Sequence, residues 1–201
     1  MKILTKQVKA EIVVKGSRFL AEAIPCQKQD EARAILKAQK EKYADATHVV
    51  HAFMLGKAGE VMGMSDDGEP SGTAGRPVLD VLRGSGATDI MLTVTRWFGG
   101  TLLGTGGLVK AYGGAAKELL SQCQESGALE EYVPKKEFSF ECDYALYKNV
   151  KRAFDEFSID GLSEDYADKV RASAKVPQDQ YEVLAARLKD LSKGKILIDG
   201  Q

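Results

Sequence analysis

Residues 137–157 read EFSFECDYALYKNVKRAFDEF, and their pattern decides the architecture of the second half of the chain. From Glu137 to Tyr144 apolar and polar residues alternate, which predicts a strand with Phe138, Phe140, Cys142 and Tyr144 turned inward. At Leu146 the period changes. Leu146, Val150, Ala153, Phe154 and Phe157 then fall on one stripe of a helix. Both patterns recur downstream. KVRASAKVP, 169–177, alternates with Val170, Ala172, Ala174 and Val176 inward. QDQYEVLAARLKDL, 178–191, aligns Tyr181, Leu184, Ala185, Leu188 and Leu191. A strand near Ile159–Leu162, turning at Gly161, and a closing strand KILI, 195–198, complete the order β-α-β-β-α-β. That order is the split-βαβ, or ferredoxin-like, arrangement, with two helices covering one sheet face.

Upstream of Pro134 the pattern is different. Ile12 to Phe19, broken at Gly16-Ser17, reads as one arm of a hairpin whose second arm, Phe19 to Ile24, ends at Pro25. KQDEARAILKAQKEKY, 28–43, predicts a helix with a narrow stripe of Ala32, Ile35, Leu36 and Gln39. HVVHAFML, 48–55, is apolar on both faces, as a covered central strand is. DIMLTVTRWF predicts a strand with Ile90, Leu92, Val94 and Arg96 on one face and Met91, Thr93, Thr95 and Trp97 on the other. A long helix follows, striped by Leu108, Tyr112, Ala115, Ala116, Leu119 and Cys123. Gly113 and Gly114 lie inside it, and close packing against another backbone would explain them. The expected fold class is therefore α+β in two domains, 1–134 and 135–201.

Two glycine-rich stretches interrupt the first half. Residues 56–76 hold six glycines and read as a loop, and GGTLLGTGG, 99–107, reads as a turn. Each runs into the amino end of a helix, where unpaired N–H groups and the partial positive charge attract anions. Arg76, Arg96 and Lys110 lie beside them. One reading is a cradle for phosphate or phosphodiester made by Ser71, Gly72, Thr73, Arg76, Arg96, Gly99, Gly100, Thr105, Gly106 and Lys110, with Thr101 as a further hydroxyl. The other reading is tight turns with structural arginines paired to Asp66, Asp67 or Asp89. Trp97 and Phe98 end a strand and are either core residues or a stacking surface for a base.

Several chemistries are disfavoured. Asp66, Asp67 and Glu69 form an acidic cluster, but without the spacing of an EF-hand. His48 and His51 are three apart on a strand and point to opposite faces, so they do not share a metal. No metal and no cofactor is expected. GxSxG, GxxxxGK[ST] and HExxH are absent, so no catalytic residue is assigned. Net charge is −1 from 28 basic and 29 acidic residues, so nucleic acid would have to be met by a local patch. Cys26, Cys123 and Cys142 form no CxxC pair, and buried thiols in a reducing cytoplasm are expected. No apolar run is long enough for a membrane helix, no secretory leader is read at the start, and a cytoplasmic location is expected.

The runs DDGEPSGTAGRPVLDVL, 66–82, and TRWFGGTLLGTGGLVKAYGGAA, 95–116, resemble the IMPACT/YigZ family, in its bacterial two-domain form. The resemblance implies a first domain of the βαβ superfamily shared by a ribosomal-protein domain and domain IV of elongation factor G. It implies a ferredoxin-like second domain similar to domain V of that factor. The eukaryotic relatives regulate translation, so the resemblance implies a nucleic-acid- or ribosome-binding role, with RNA, the ribosome or a protein as partner. Two alternatives stand beside it. One is a hydrolase or transferase acting on a phosphorylated small molecule, with Asp66 or Asp67 as base or metal ligand and the loops holding phosphate. The other is a protein-interaction module using the open sheet face of the second domain.

Overall fold

The computed structural model describes residues 1–200. The chain divides into two compact units, Met1–Tyr132 and Val133–Gln201. The division falls two residues ahead of the boundary placed at Pro134.

In the first unit the elements are β1 (Lys2–Leu4), β2 (Val8–Val14), β3 (Ser17–Pro25), α1 (Gln29–Lys42), β4 (His48–Leu55), β5 (Val61–Ser65), α2 (Gly75–Ser85), β6 (Ala87–Thr88), β7 (Ile90–Trp97), α3 (Gly104–Glu125) and β8 (Leu129–Glu131). Five strands form one sheet in the order β2-β3-β7-β4-β5, every neighbouring pair antiparallel. Because β7 lies between β3 and β4, those two run parallel, joined through α1. In the same way α2 joins β5 to β7 across β4. The βαβ units implied by the resemblance are thus both split by an intervening strand. β6, β1 and β8 make a second, small sheet that periodicity did not reveal, since such short strands carry no measurable alternation.

β5 corrects one expectation. The glycine-rich stretch 56–76 predicts a loop, yet Val61–Ser65 pair with His51–Leu55. Gly63 is the reason the pattern was hidden: a Cβ there would fall 2.4 Å from the Phe53 ring, which lies across it. The strand therefore carries a glycine at the position where an apolar side chain would have marked it.

The two faces of the sheet are packed differently. On one, Phe19, Ala21, Val50, Ala52, Ile90, Leu92 and Val94 meet Val78 and Leu82 of α2 and Leu108, Tyr112, Ala115, Ala116 and Leu119 of α3. The other carries α1, whose Ala32, Ile35 and Leu36 pack with Cys26, Leu55 and Met91. Beyond that small patch α1 sits over polar groups. Glu22 is wholly buried, with Lys9 at 2.7 Å and Lys42 at 3.4 Å. Burial alone would raise its pKa, but Lys9, Tyr43 and Lys42 outweigh it and hold the carboxyl below its usual range. Thr93 lies in register between Glu22 and His51. This explains the narrow stripe read from the sequence of α1: only Ala32 and Gln39 of that helix are buried.

α3 carries two glycines in its middle, and the expected close approach of a backbone does not account for them. A Cβ at Gly113 would meet only Cβ of Pro77, and one at Gly114 only Cδ1 of Ile12, each at 3.8 Å. That is ordinary contact, so alanine fits both places without displacing a neighbour.

The second unit consists of β9 (Lys135–Cys142), α4 (Tyr144–Phe154), β10 (Asp160–Tyr166), β11 (Val170–Pro177), α5 (Tyr181–Leu191) and β12 (Asp199–Gly200). The sheet order β10-β11-β9-β12 is antiparallel throughout and is that of the ferredoxin-like arrangement. Phe138, Phe140, Val150, Phe154, Val170, Val176, Leu184 and Leu188 form its core. Details differ from the sequence reading: α4 ends at Phe154, short of Phe157, and β10 runs on to Tyr166. Tyr144 opens α4 and is half-exposed instead of ending a strand inward. Tyr147, unassigned by the stripe, is buried on α4. Residues 195–198 are irregular, and the last strand begins at Asp199. Ile196 still enters the core, so the apolar content of KILI marks burial without ladder pairing.

All three cysteines are unpaired and buried. Among the described residues no helix is long and apolar enough to cross a membrane. Replacing Gly113 or Gly114 by alanine is expected to stabilise the first unit by about 1 kcal/mol each, through the lower entropy cost of ordering alanine in a helix. Urea unfolding followed by the fluorescence of Trp97, the single tryptophan, reads that unit alone.

Candidate functional site

The two glycine-rich segments, far apart in sequence, meet in the first unit at a cleft of about 520 Å³. Its lining comes from Thr47 and His48 at the start of β4, from Gly68, Glu69 and Pro70, from Arg96 and Phe98, and from Leu102 to Thr105 with Leu108. β4 and β7 supply the floor because His48 and Arg96 are register partners at the end of those strands.

Glu69 is the centre of the floor. Its side chain is 3% exposed, and its Oε1 accepts from Arg96 Nη1 at 2.7 Å and from the Tyr112 hydroxyl at 2.7 Å. His48 Nε2 stands 3.8 Å away. The other ring nitrogen of His48 faces the Asp67 carbonyl at 2.7 Å, so Nδ1 carries the proton and donates. Burial, then the hydrogen bond to Glu69, pushes the Tyr112 phenol far above its usual value and keeps it a donor. Arg96 also reaches Ser17 Oγ at 3.4 Å, which in turn accepts from the Gly99 amide at 3.2 Å. Its guanidinium lies 5.6 Å from the Phe19 ring and 5.7 Å from the Phe98 ring.

Gly99 owes its identity to this junction. A Cβ on it would fall 1.8 Å from the carbonyl carbon of Gly16, so the β2–β3 turn and the β7–α3 loop touch backbone to backbone. Gly100 and Gly104 have positive φ, 85° and 70°, which turns the chain into α3.

The two helix starts are not equivalent. At α2 the Asp66 carboxylate accepts from the amides of Gly72 (2.8 Å), Ala74 (3.0 Å) and Gly75 (2.8 Å). Burial would raise its pKa, but those three amides lower it further and hold the group ionised. This end of the molecule already has its anion, and the expectation of a phosphate cradle around Ser71, Gly72 and Thr73 is corrected accordingly. Thr73 is buried and its hydroxyl donates to the Pro70 carbonyl at 2.6 Å. At α3, by contrast, no described side chain caps the helix, and Gly104, Thr105 and Gly106 are exposed. A Cβ on Gly104 or Gly106 would meet nothing within 4 Å.

The predicted cations separate in the same way. Arg96 is buried against Glu69, so it holds the site together instead of reaching into solvent for a phosphate. Arg76 is exposed but forked onto Asp80 at 2.9 and 3.0 Å, one turn along α2. Lys110 is exposed on α3 with no carboxylate partner among the described residues. The acidic cluster does not converge. Asp67 Oδ2 accepts from the Val49 amide at 2.7 Å while Oδ1 pairs with Lys40. Asp66 is held by its three amides, and Glu69 pairs with Arg96 through Oε1 alone. No group of three or more His, Cys, Asp or Glu among the described residues could hold a metal ion. Trp97 and Phe98 also part company. Trp97 donates to Asp45 at 2.9 Å and lies under Arg18, while Phe98 is 47% exposed at the cleft.

Sequence reasoning missed His48, Ser17 and Tyr112 as members of this site. Tyr112 alone left a signal, since a tyrosine in the middle of an apolar stripe needs a partner for its hydroxyl.

A fold of this kind, an α+β unit with a cleft between glycine loops followed by a ferredoxin-like unit, has recognisable relatives. The Impact N-terminal domain family matches residues 15–120, and a domain of unknown function, DUF1949, matches residues 140–195. The chain is 33% identical over 185 residues to the IMPACT family member YigZ of Escherichia coli, covering 91% of this chain and 89% of that protein. It is 32% identical over 187 residues to an IMPACT family member of Haemophilus influenzae, covering 92% and 89%. A crystal structure of a hypothetical protein superposes with a TM-score of 0.67 at 32% identity, covering 98% of this chain and 95% of that one. The protein belongs to the IMPACT family.

Two measurements test this description of the site. Arg96→Met leaves Glu69 buried without its cation and should cost about 3–5 kcal/mol in urea unfolding, whereas adding Glu69→Gln should recover part of that loss. Asp66 has a folded pKa below its ordinary value, so its stabilisation is present above the ordinary carboxylate pKa and disappears as pH falls through the folded one. Asp66→Asn should therefore lower stability by about 1–2 kcal/mol at pH 7 and flatten the acid limb of the stability profile.

Proposed function

We propose that this protein binds RNA, on the ribosome or free, through the α3 side of the cleft, and acts in the regulation of translation. The observation that carries the reading is the contrast between two helix starts on neighbouring glycine loops. α2 is closed by the Asp66 carboxylate, while the amides of Gly104, Thr105 and Gly106 open α3 with no side-chain cap. Backbone N–H groups and a helix dipole at such an end select a phosphate. Lys110 adds a free positive charge on the same helix, Thr105 a hydroxyl, and Gly100 and Gly106 allow close approach. Phosphate contacts of this sort position a nucleic acid without reading its sequence. The near-zero net charge of the chain limits the number of phosphates neutralised, so modest affinity and a shallow salt dependence are expected.

Gly106→Asp is the informative variant. Open space surrounds the site, and an aspartate in the first turn favours the helix, so folding should be kept or improved while phosphate is repelled. Fluorescence anisotropy with labelled RNA at several salt concentrations should show about tenfold weaker binding for Gly106→Asp, and a salt slope smaller by about 1 for Lys110→Ala. Wild-type binding by both variants would overturn the reading.

A further inference from the structure

Resting on the phosphate-binding reading above, we infer that the floor of the cleft receives one unpaired nucleobase, so that single-stranded RNA is bound in preference to duplex. Rim and floor differ in charge. The rim offers the open amides at the start of α3. On the floor Arg96 is already paired with Glu69, and an anion pressed inward would meet that carboxylate. A neutral planar group meets no such repulsion. The apolar walls suit one: Leu102, 84% exposed, stands at the mouth with Leu103, Leu108 and the half-exposed Phe98. Phe98 is the one member of the Trp97-Phe98 pair left with a free face, because Trp97 is held by Asp45 and Arg18. The neighbouring guanidinium of Arg96 makes the same place favourable for a stacked base.

The floor also has the polarity a base edge needs. Arg96 and Tyr112 both donate to Oε1 of Glu69, and Oε2 takes no donor from the described residues. It is an acceptor beside the cleft, suited to an N–H on the Watson–Crick edge of a base. In a duplex that edge is occupied by the partner base and both ring faces by the stack, so neither Phe98 nor Glu69 could be reached. A cleft of about 520 Å³ has room for such a group.

The test uses the full chain with an eight-nucleotide single-stranded RNA and the same sequence closed as a hairpin duplex, both followed by fluorescence anisotropy. The single strand should bind at least about tenfold more tightly, and Phe98→Ala should lose about tenfold of that affinity, the worth of one stacked base. Leu102→Ala, at a position too exposed to affect folding, should lose less, and Glu69→Gln should alter the ranking among oligonucleotides that differ at a single base. Equal affinity for strand and duplex overturns the inference whatever Phe98→Ala does. A single-strand preference that Phe98→Ala leaves intact puts the base elsewhere and also overturns it. In both cases the phosphate reading stands if Gly106→Asp still weakens binding. No binding of either RNA removes both.

Discussion

The first unit is organised around one buried carboxylate. Glu69 sits on a segment with no regular structure, and the guanidinium of β7 and the phenol of α3 both tie it to the folded unit through the same oxygen. An ion taken out of water is costly unless its partners are close and well aligned, and breaking one side of such a pair costs more than either partner alone is worth. The arrangement therefore ties the 66–72 loop, the end of the central strand and the longest helix into one unit. Ser17 extends the tie to the β2–β3 turn through Arg96 and the Gly99 amide. A cleft lined by loops is held to the geometry of the sheet by these contacts.

The same network decides which parts of the site face outward. A cation used to neutralise a buried carboxylate cannot also neutralise a phosphate, and a helix end filled by Asp66 cannot also receive one. Positive character is thereby removed from the α2 side and from the floor and left at the start of α3. The bottom of the cleft is nearly neutral and mostly apolar, with Phe98 and Leu102 at its edge. Such a division suits a ligand that is charged along its backbone and flat and neutral elsewhere. Asp66 is engaged by main-chain amides, and Asp67 by the Val49 amide and Lys40.

Opposite the cleft, α1 is seated on a different kind of surface. A short apolar contact at its amino-terminal half gives way to Glu22, Thr93, Thr95, His51 and Gln39, each buried or half-buried with a polar atom lacking a protein partner. Apolar burial is what usually fixes a helix to a sheet, and this helix has little of it. α2 and α3 carry the main core, and the site is built on their side of the sheet.

Local periodicity was enough to read the second unit almost whole. A 2-residue period cannot be mistaken for a 3.6-residue one over eight or more residues, and one covered sheet face makes both periods plain. In the first unit it was enough for the hairpin, α1, β4, β7 and α3. It failed for β5, where Gly63 removes the marker side chain, and for strands of two or three residues. The glycine loops and their neighbouring cations were also legible, since those residue types permit the turns. Their partners were not. Arg96 and Glu69 are 27 residues apart, Tyr112 and Glu69 are 43 apart, and the choice of Glu69 over Asp66, Asp67 or Asp89 is made by which carboxylate the folded sheet brings to the end of β7. Ion pairing acts through space and leaves no periodic trace along a chain, so only the tertiary structure could say which arginine is buried, which helix end is filled and which is open.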